Sequence, residues 1–138
     1  QVDDLIRDAK DGKNSDIGNL AIQVVKLYFL QKDPACTFKV GKRNQPDLIV
    51  ISRGKSTEYE VKGTQSESLQ YNQLKVSGNY SYKKLVNGME LIRVTNIRKT
   101  NMKIYFLKYG VHFTMKPEPR WAIKEIRPGK SKPIKRQT

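Results

Sequence analysis

Residues 46–62, PDLIVISRGKSTEYEVK, form the most informative stretch of the chain. Residues 48–51 are a continuous apolar run of strand length, and residues 57–62 alternate polar and apolar side chains as a half-buried strand does. Between them, Gly54-Lys55 suits a two-residue hairpin turn, because glycine favours the first central position of such a turn. The stretch therefore predicts a β-hairpin.

The predicted turn fixes the register of the two strands. Ile49 is expected to face Glu60, and Asp47 is expected to face Lys62. Since strand side chains alternate between the two faces of a sheet, all four of these side chains should point to the same face. The hairpin is thus expected to bring two carboxylates and an ammonium group together at its open end.

Further helices and strands are predicted on both sides of the hairpin. Apolar residues at helical spacing predict a first helix over residues 16–31, capped by Ser15 or Asp16 and ended by the Asp-Pro pair that follows it. A second helix is predicted over residues 66–76, and residues 78–84 are expected to form a loop. Apolar runs predict three more strands, at residues 37–40, 90–97 and 102–109. The chain is therefore expected to be an α/β protein.

Length and composition exclude several classes of protein. With 138 residues the chain has room for one core, which excludes two-domain enzymes of the doubly wound or barrel kind. One Cys excludes an internal disulfide and Cys-rich zinc clusters, and one His excludes metal sites that need two imidazoles. We expect an N-terminal arm at residues 1–14, one domain at residues 15–126, and a basic, disordered tail at residues 127–138.

No apolar run approaches the length of a membrane span, and the N-terminus lacks the apolar segment of a signal peptide. A cytoplasmic protein, associated with the nucleoid when bound to DNA, is therefore expected. The first residue is Gln rather than Met, as expected of a processed form or a fragment of a larger protein.

Positive charge is concentrated in the second half of the chain. The formal net charge is +14; residues 1–60 hold 10 Lys or Arg against 9 Asp or Glu, whereas residues 61–138 hold 17 against 4. Such one-sided charge is typical of proteins that bind polyphosphates, whose affinity depends on the release of counterions. The composition therefore favours a nucleic acid as partner, and no basic amphipathic helix indicates a membrane surface.

The pattern Pro46-Asp47, twelve residues, then Glu60-Val61-Lys62 resembles the signature of the PD-(D/E)XK nuclease superfamily. That family has the restriction-endonuclease-like fold, an αβββαβ core with a central mixed β-sheet flanked by helices. The predicted order of helices and strands is similar to this core over residues 15–109. The resemblance implies the same fold here.

The resemblance also implies an activity and a set of site residues. Asp47 and Glu60 would bind Mg²⁺, with Mn²⁺ as its substitute, and the main-chain carbonyl of Val61 would be the third protein ligand. Lys62 would orient or help deprotonate the attacking water and stabilise charge on the phosphate. Hard oxygen ligands suit Mg²⁺, and a divalent cation suits the attack on an anionic phosphodiester. The implied activity is that of a metal-dependent DNA endonuclease that leaves a 5′-phosphate and a 3′-hydroxyl.

One departure from the family pattern concerns the first helix. Many members carry a Glu there that supplements the metal site, and residues 16–23 contain none. Asp16, Gln23 and Gln65 are candidates for this supplementary role. A helix cap and a boundary polar residue are the alternative interpretations for the first two.

Five residues after the hairpin are candidates for DNA contacts. Thr64 could contact a phosphate, although a turn at the end of the strand would explain it equally well. The others lie in the predicted loop, where the tyrosines could stack on bases and the lysines hold phosphates: Tyr80, Tyr82, Lys83 and Lys84. Packing within the loop is the alternative role for the two tyrosines.

Two types of nuclease and one non-enzyme remain as hypotheses. Residues 17–21 (IGNLA), 59–64 (YEVKGT) and 89–97 (MELIRVTNI) look like parts of the restriction-type nuclease domains of helicases and defence proteins, which we favour. The size, basicity and hairpin spacing are similar to those of archaeal-type Holliday junction resolvases. A basic nucleic-acid-binding module without catalysis is the alternative of another class. DNA is the expected partner, with the chain either a homodimer or a nuclease domain or subunit of a larger assembly.

Overall fold

The computed structural model describes residues 17–42, 44–76, 78–117, 124–129 and 132. They form an α/β fold, as predicted, with a five-stranded mixed β-sheet and two α-helices. The predicted arm at residues 1–14, the predicted cap residues Ser15 and Asp16, and most of the predicted tail at residues 127–138 lie outside the described residues.

The elements follow the predicted order of helix, three strands, helix and two strands, although the second helix lies at other residues than predicted. Helix α1 spans Ile17–Lys32 and helix α2 spans Asn79–Val86. The strands are β1 (Thr37–Val40), β2 (Leu48–Ser52), β3 (Lys55–Gly63), β4 (Glu90–Thr95) and β5 (Lys103–Leu107). Neither of the described helices has the length and apolar character needed to cross a membrane.

The sheet has the strand order β1-β2-β3-β4-β5. Strands β3 and β4 are parallel, and every other neighbouring pair is antiparallel. Parallel neighbours need a crossover connection, and the segment that contains α2 provides it. The hairpin β2–β3 therefore lies in the interior of the sheet, next to this crossover.

The two faces of the sheet are covered differently. Helix α1 packs its buried residues against the first face, which we name the α1 face and which carries Leu48, Val50 and Val61. The second face, named the carboxylate face, carries Glu58, Glu60 and Lys62, since these alternate with Val61 along β3. Helix α2 lies on the carboxylate face, where its buried side chain joins a second apolar cluster: Leu85, Met89, Leu91 and Leu107.

The predicted second helix at residues 66–76 is wrong. Only a short 3-10 turn, Tyr71–Gln73, forms in this range, and the helix forms instead at residues 79–86, where a loop was predicted. The side chains of Ser66 and Ser68 accept hydrogen bonds from the nearby Ser68 amide and Gln70 side chain, and Gln70 is left-handed with φ 55°. Such local bonds of serine compete with helix formation.

Candidate active site

The turn of the β2–β3 hairpin differs from the predicted one. Its central residues are Arg53 and Gly54, with φ 54° and 76°, so that the turn is of the type that needs positive φ at both positions. As a result Ile49 pairs with Glu58, and not with Glu60 as predicted. The shift amounts to two residues, so each side chain keeps the face that the sequence predicted.

Asp47 lies just before β2 and is tied to β3. Its Oδ2 atom accepts a hydrogen bond of 3.0 Å from the main-chain N–H of Val61. Extended by one residue, the observed register places Asp47 opposite Glu60 rather than opposite Lys62. The hairpin therefore brings the two carboxylates to facing positions, one just before β2 and the other on β3, at the open end of the hairpin.

Glu60 is an acidic residue held in the interior, with 5% of its surface exposed. Burial raises the pKa of its carboxyl group, and the negative charge of Asp47 raises it further. The Lys62 ammonium, 3.4 Å from Glu60 Oε2, and the Ser81 hydroxyl of α2 act in the opposite direction without cancelling the rise in pKa. The positive charge of Lys62 is therefore not enough to offset the burial of Glu60 and its repulsion by Asp47.

The main-chain carbonyl of Val61 points toward the β2 side of β3, where Asp47 lies. Both main-chain groups of a strand residue point toward the same neighbouring strand, and the N–H of Val61 points toward Asp47. Extended by two residues, the hairpin register places Pro46 opposite Val61. Because proline has no N–H, Pro46 cannot donate a main-chain hydrogen bond across the hairpin to this carbonyl. The proline of the Pro-Asp pair thereby keeps a main-chain oxygen available to a ligand.

These donors fit the divalent cation that the family resemblance implies. In the described part of the chain, no three His, Cys, Asp or Glu side chains form a metal-binding group. The hairpin offers two carboxylates and one carbonyl, which are the oxygen donors that Mg²⁺ accepts while it keeps several waters. The raised pKa of Glu60 also indicates a carboxylate that a nearby cation would stabilise. Asp47, Glu60 and Val61 are therefore the residues that would hold it.

The other candidates near the metal site lie in different surroundings. Thr64 uses its hydroxyl oxygen to accept a hydrogen bond from the Ser66 N–H, in keeping with a turn at the end of β3. Gln65 is exposed. Gln23 lies on α1, which packs on the opposite face of the sheet, and its buried Oε1 atom has no hydrogen-bond partner among the described residues. For these three residues no contact with Asp47 or Glu60 is seen, and the roles predicted for them stay predictions.

The four candidate DNA-binding residues lie on α2 rather than in a loop. Tyr80 is half-buried and Lys84 lies 5.7 Å from its ring centroid. Lys84 also forms an ion pair of 2.8 Å with Glu58, and Lys83 is exposed beside it. Tyr82 is 46% exposed. Helix α2 therefore presents both basic and aromatic groups next to the carboxylate face.

Two residues near the site are not among the predicted site residues, and one of them, Arg93, was expected on a solvated face of its strand. Ser81 donates to the Glu60 carboxylate from a segment that was expected to be a loop. Arg93 is only 4% exposed, and its guanidinium donates to the carbonyls of Gly63 and Leu69, at 3.0 and 2.9 Å. Its position within the apolar run of β4 was the signal that could have identified it as a buried residue. Arg93 anchors the segment that follows Lys62.

Comparisons with known proteins add nothing to this geometry. No protein-family model matches the chain, and no curated protein or solved structure matches it either. The arrangement of the described residues is therefore the basis for any functional conclusion.

Proposed function

We propose that the chain is a metal-dependent DNA endonuclease that hydrolyses phosphodiester bonds to a 5′-phosphate and a 3′-hydroxyl. The observation that carries the proposal is the joint placement of Asp47, buried Glu60 and Lys62 on one face of a hairpin. Two neighbouring carboxylates repel each other, and a single ammonium does not neutralise both, so the arrangement is unfavourable for stability until a metal cation binds. The same groups suit phosphodiester hydrolysis.

Each group of the site has a role in this chemistry. Asp47, Glu60 and the carbonyl of Val61 hold Mg²⁺, for which Mn²⁺ can substitute. The chemistry supplied by this ion is polarisation of the phosphate and acidification of a water molecule. The Lys62 ammonium orients the attacking water, and its positive charge stabilises the phosphate as negative charge builds up.

The fold and the charge support the same proposal. The αβββ order, the crossover helix and the parallel β3–β4 pair are those expected of a restriction-endonuclease-like core. Residues 61–138, with 17 Lys or Arg, supply attraction for the DNA backbone. A restriction or defence role is the favoured setting, in which the chain works as a homodimer or as part of a larger assembly. A resolvase would differ by its preference for four-way junctions over linear DNA.

The test is nicking of supercoiled plasmid by the purified chain, with Mg²⁺, with Mn²⁺ and with EDTA. Cleavage should need the metal, and Lys62→Ala should lower its rate by at least about a hundredfold, as loss of a group that stabilises transition-state charge does. Lys103→Ala is the matched control, because Lys103 is an exposed lysine on β5.

DNA binding separates the proposed enzyme from a binding module. Lys62→Ala should bind DNA as wild type does, because one lysine contributes little to a net charge of +14. Equal nicking by wild type and Lys62→Ala would reject the assigned site. Binding without any metal-dependent cleavage, on plasmid and on four-way junctions, would favour the non-catalytic module.

A further inference from the structure

A cleft of about 760 Å³ lies on the carboxylate face, between α2 and the first three strands. Half-buried Ile49 and Ile51 of β2 lie at its floor, and Lys39 of β1 pairs with Ile49 beside them. Helix α2 forms the wall with residues at helical spacing: Tyr80, Lys83, Lys84 and Asn87. The cleft thus has an apolar floor and a polar wall.

The apolar floor is left without a covering layer by the placement of α2. The buried Leu85 of this helix packs with Leu91 and Leu107, which belong to β4 and β5. The isoleucines of β2 therefore remain accessible at the bottom of the cleft. An apolar surface in a concave site is suited to a flat apolar group of a ligand.

The charges around the cleft select an anionic ligand. Four lysines line it, from β1, the hairpin and α2: Lys39, Lys55, Lys83 and Lys84. Glu58 is paired with Lys84 at 2.8 Å, and Glu90 is the other carboxylate of the lining. Tyr80, whose ring stands near the Lys84 ammonium, adds an aromatic surface. A ligand with phosphates and a planar apolar part, as in a nucleotide, matches this combination.

The cleft adjoins the candidate active site along the hairpin, although the site residues themselves do not line it. Ile49 and Glu58 are register partners, and each lies two residues along its strand from a site carboxylate, Asp47 and Glu60 respectively. Two residues of a strand span about 7 Å. A DNA strand whose phosphate lies at the carboxylates can therefore continue into the cleft.

We propose that this cleft binds an unpaired nucleotide, so that the substrate is DNA with a single-stranded segment adjoining the cleaved bond. In a duplex the faces of the bases are stacked and hidden, and an apolar floor would have nothing to contact. An unpaired base exposes its face to Ile49, Ile51 and Tyr80, while its phosphates meet the lysines. The assignment to cleavage rests on the proposed function, whereas the binding itself does not.

The experiment measures equilibrium binding by fluorescence anisotropy in EDTA, where no cleavage occurs. Three probes are used: a short single strand, the same strand with abasic sugars in place of its central bases, and the corresponding duplex. Wild type should bind the intact strand about tenfold more tightly than the abasic strand, as expected for stacking of a base on side chains. Equal affinity for these two strands would overturn the proposal.

Two variants locate the effect in the cleft. Ile51→Lys adds a charge but destroys the apolar floor, so it should abolish the preference for intact over abasic strands. Val111→Lys adds the same charge at a 71% exposed position outside the lining and should keep that preference. If Ile51→Lys retains the preference, the base lies elsewhere and the proposal fails. If Ile51→Lys instead dissociates a dimer of the chain without changing the preference, a second copy occupies the cleft.

Failure of this inference and failure of the nuclease proposal give different results. If wild type shows no preference for the intact over the abasic strand but still nicks plasmid in a metal-dependent way, only the nucleotide cleft is rejected. Base preference that depends on Ile51, without nicking of any substrate, would reject only the catalytic assignment. If both hold, a duplex with an unpaired end should be cut faster than a fully paired duplex, and Ile51→Lys should remove that difference.

Discussion

Glu60 has a folded-state pKa above the ordinary value, because burial and the Asp47 charge oppose its ionisation. A raised pKa means that the folded protein holds this proton more tightly than the unfolded chain does. The contribution of Glu60 to stability is therefore fully present below its ordinary pKa of 4.5 and is lost as the pH rises through the raised value.

Glu60→Gln should accordingly raise the melting temperature at pH 7 to 8 in EDTA, since the neutral amide lacks the buried charge. The difference from wild type should shrink with falling pH and vanish below pH 4.5, the ordinary pKa of the group. Calorimetry at several pH values measures it, with exposed Glu67→Gln as control. A lower melting temperature for Glu60→Gln at pH 7 would contradict this account.

Mg²⁺ should stabilise the folded chain through the same carboxylates. At a concentration ten times its dissociation constant, a ligand of the folded state adds about 1.4 kcal/mol to the free energy of unfolding. For a domain of this size the melting temperature should rise by about 4 °C. Asp47→Asn should remove the rise, and exposed Glu67→Gln should keep it. The same rise in Asp47→Asn would place any bound metal elsewhere.

At the scale of elements, the hairpin turn combines a favourable and an unfavourable residue. Gly54 adopts its positive φ of 76° freely, but Arg53 adopts φ 54°, which its Cβ disfavours. Asn-Gly is the preferred pair for this type of turn. Arg53→Asn should therefore raise the free energy of unfolding by about 0.5 kcal/mol, measured by urea denaturation. Gly54→Ala should lower it, and stabilisation by that change would contradict the assigned turn.

The turn also explains how the site could be predicted when the register could not. Gly54 is compatible with the first position of one turn type or the second position of another, and the sequence pattern does not separate them. The two choices differ by two residues of register, so Asp47, Glu60 and Lys62 share a face in both. Face alternation was therefore predictable, whereas the direct partner of Glu60 was not.

The two helices show where a local sequence pattern predicts an element and where it does not. The end of helix α1 at Lys32 was predicted to within one residue, because its apolar spacing and the following Asp-Pro pair are both local signals. Helix α2 has one buried residue, Leu85, and is stabilised by contacts with distant strands such as the Lys84–Glu58 pair. Such tertiary contacts leave no periodic pattern in the sequence. The cleft beside α2 could not be predicted for the same reason.

For the whole molecule, the uneven distribution of charge should determine how DNA binding responds to salt. The first 60 residues are nearly neutral, whereas residues 61–138 carry most of the net charge of +14. For duplex DNA, the logarithm of the affinity falls with the logarithm of salt concentration by about 0.9 for each neutralised phosphate. The slope therefore counts the cations that contact DNA, and it does not report net charge alone.

Two sets of four substitutions test whether position matters. The first changes four cations of the second half to Gln: Lys130, Lys132, Lys135 and Arg136. The second changes four cations of the first half: Arg7, Lys10, Lys13 and Lys42. Both sets lower the net charge from +14 to +10. If the basic half forms the DNA-binding surface, the first set should reduce the slope by up to about 3.6, and the second should change it much less. Equal changes of the slope in the two sets would mean that DNA contacts both halves of the chain, or that its affinity depends on the net charge alone.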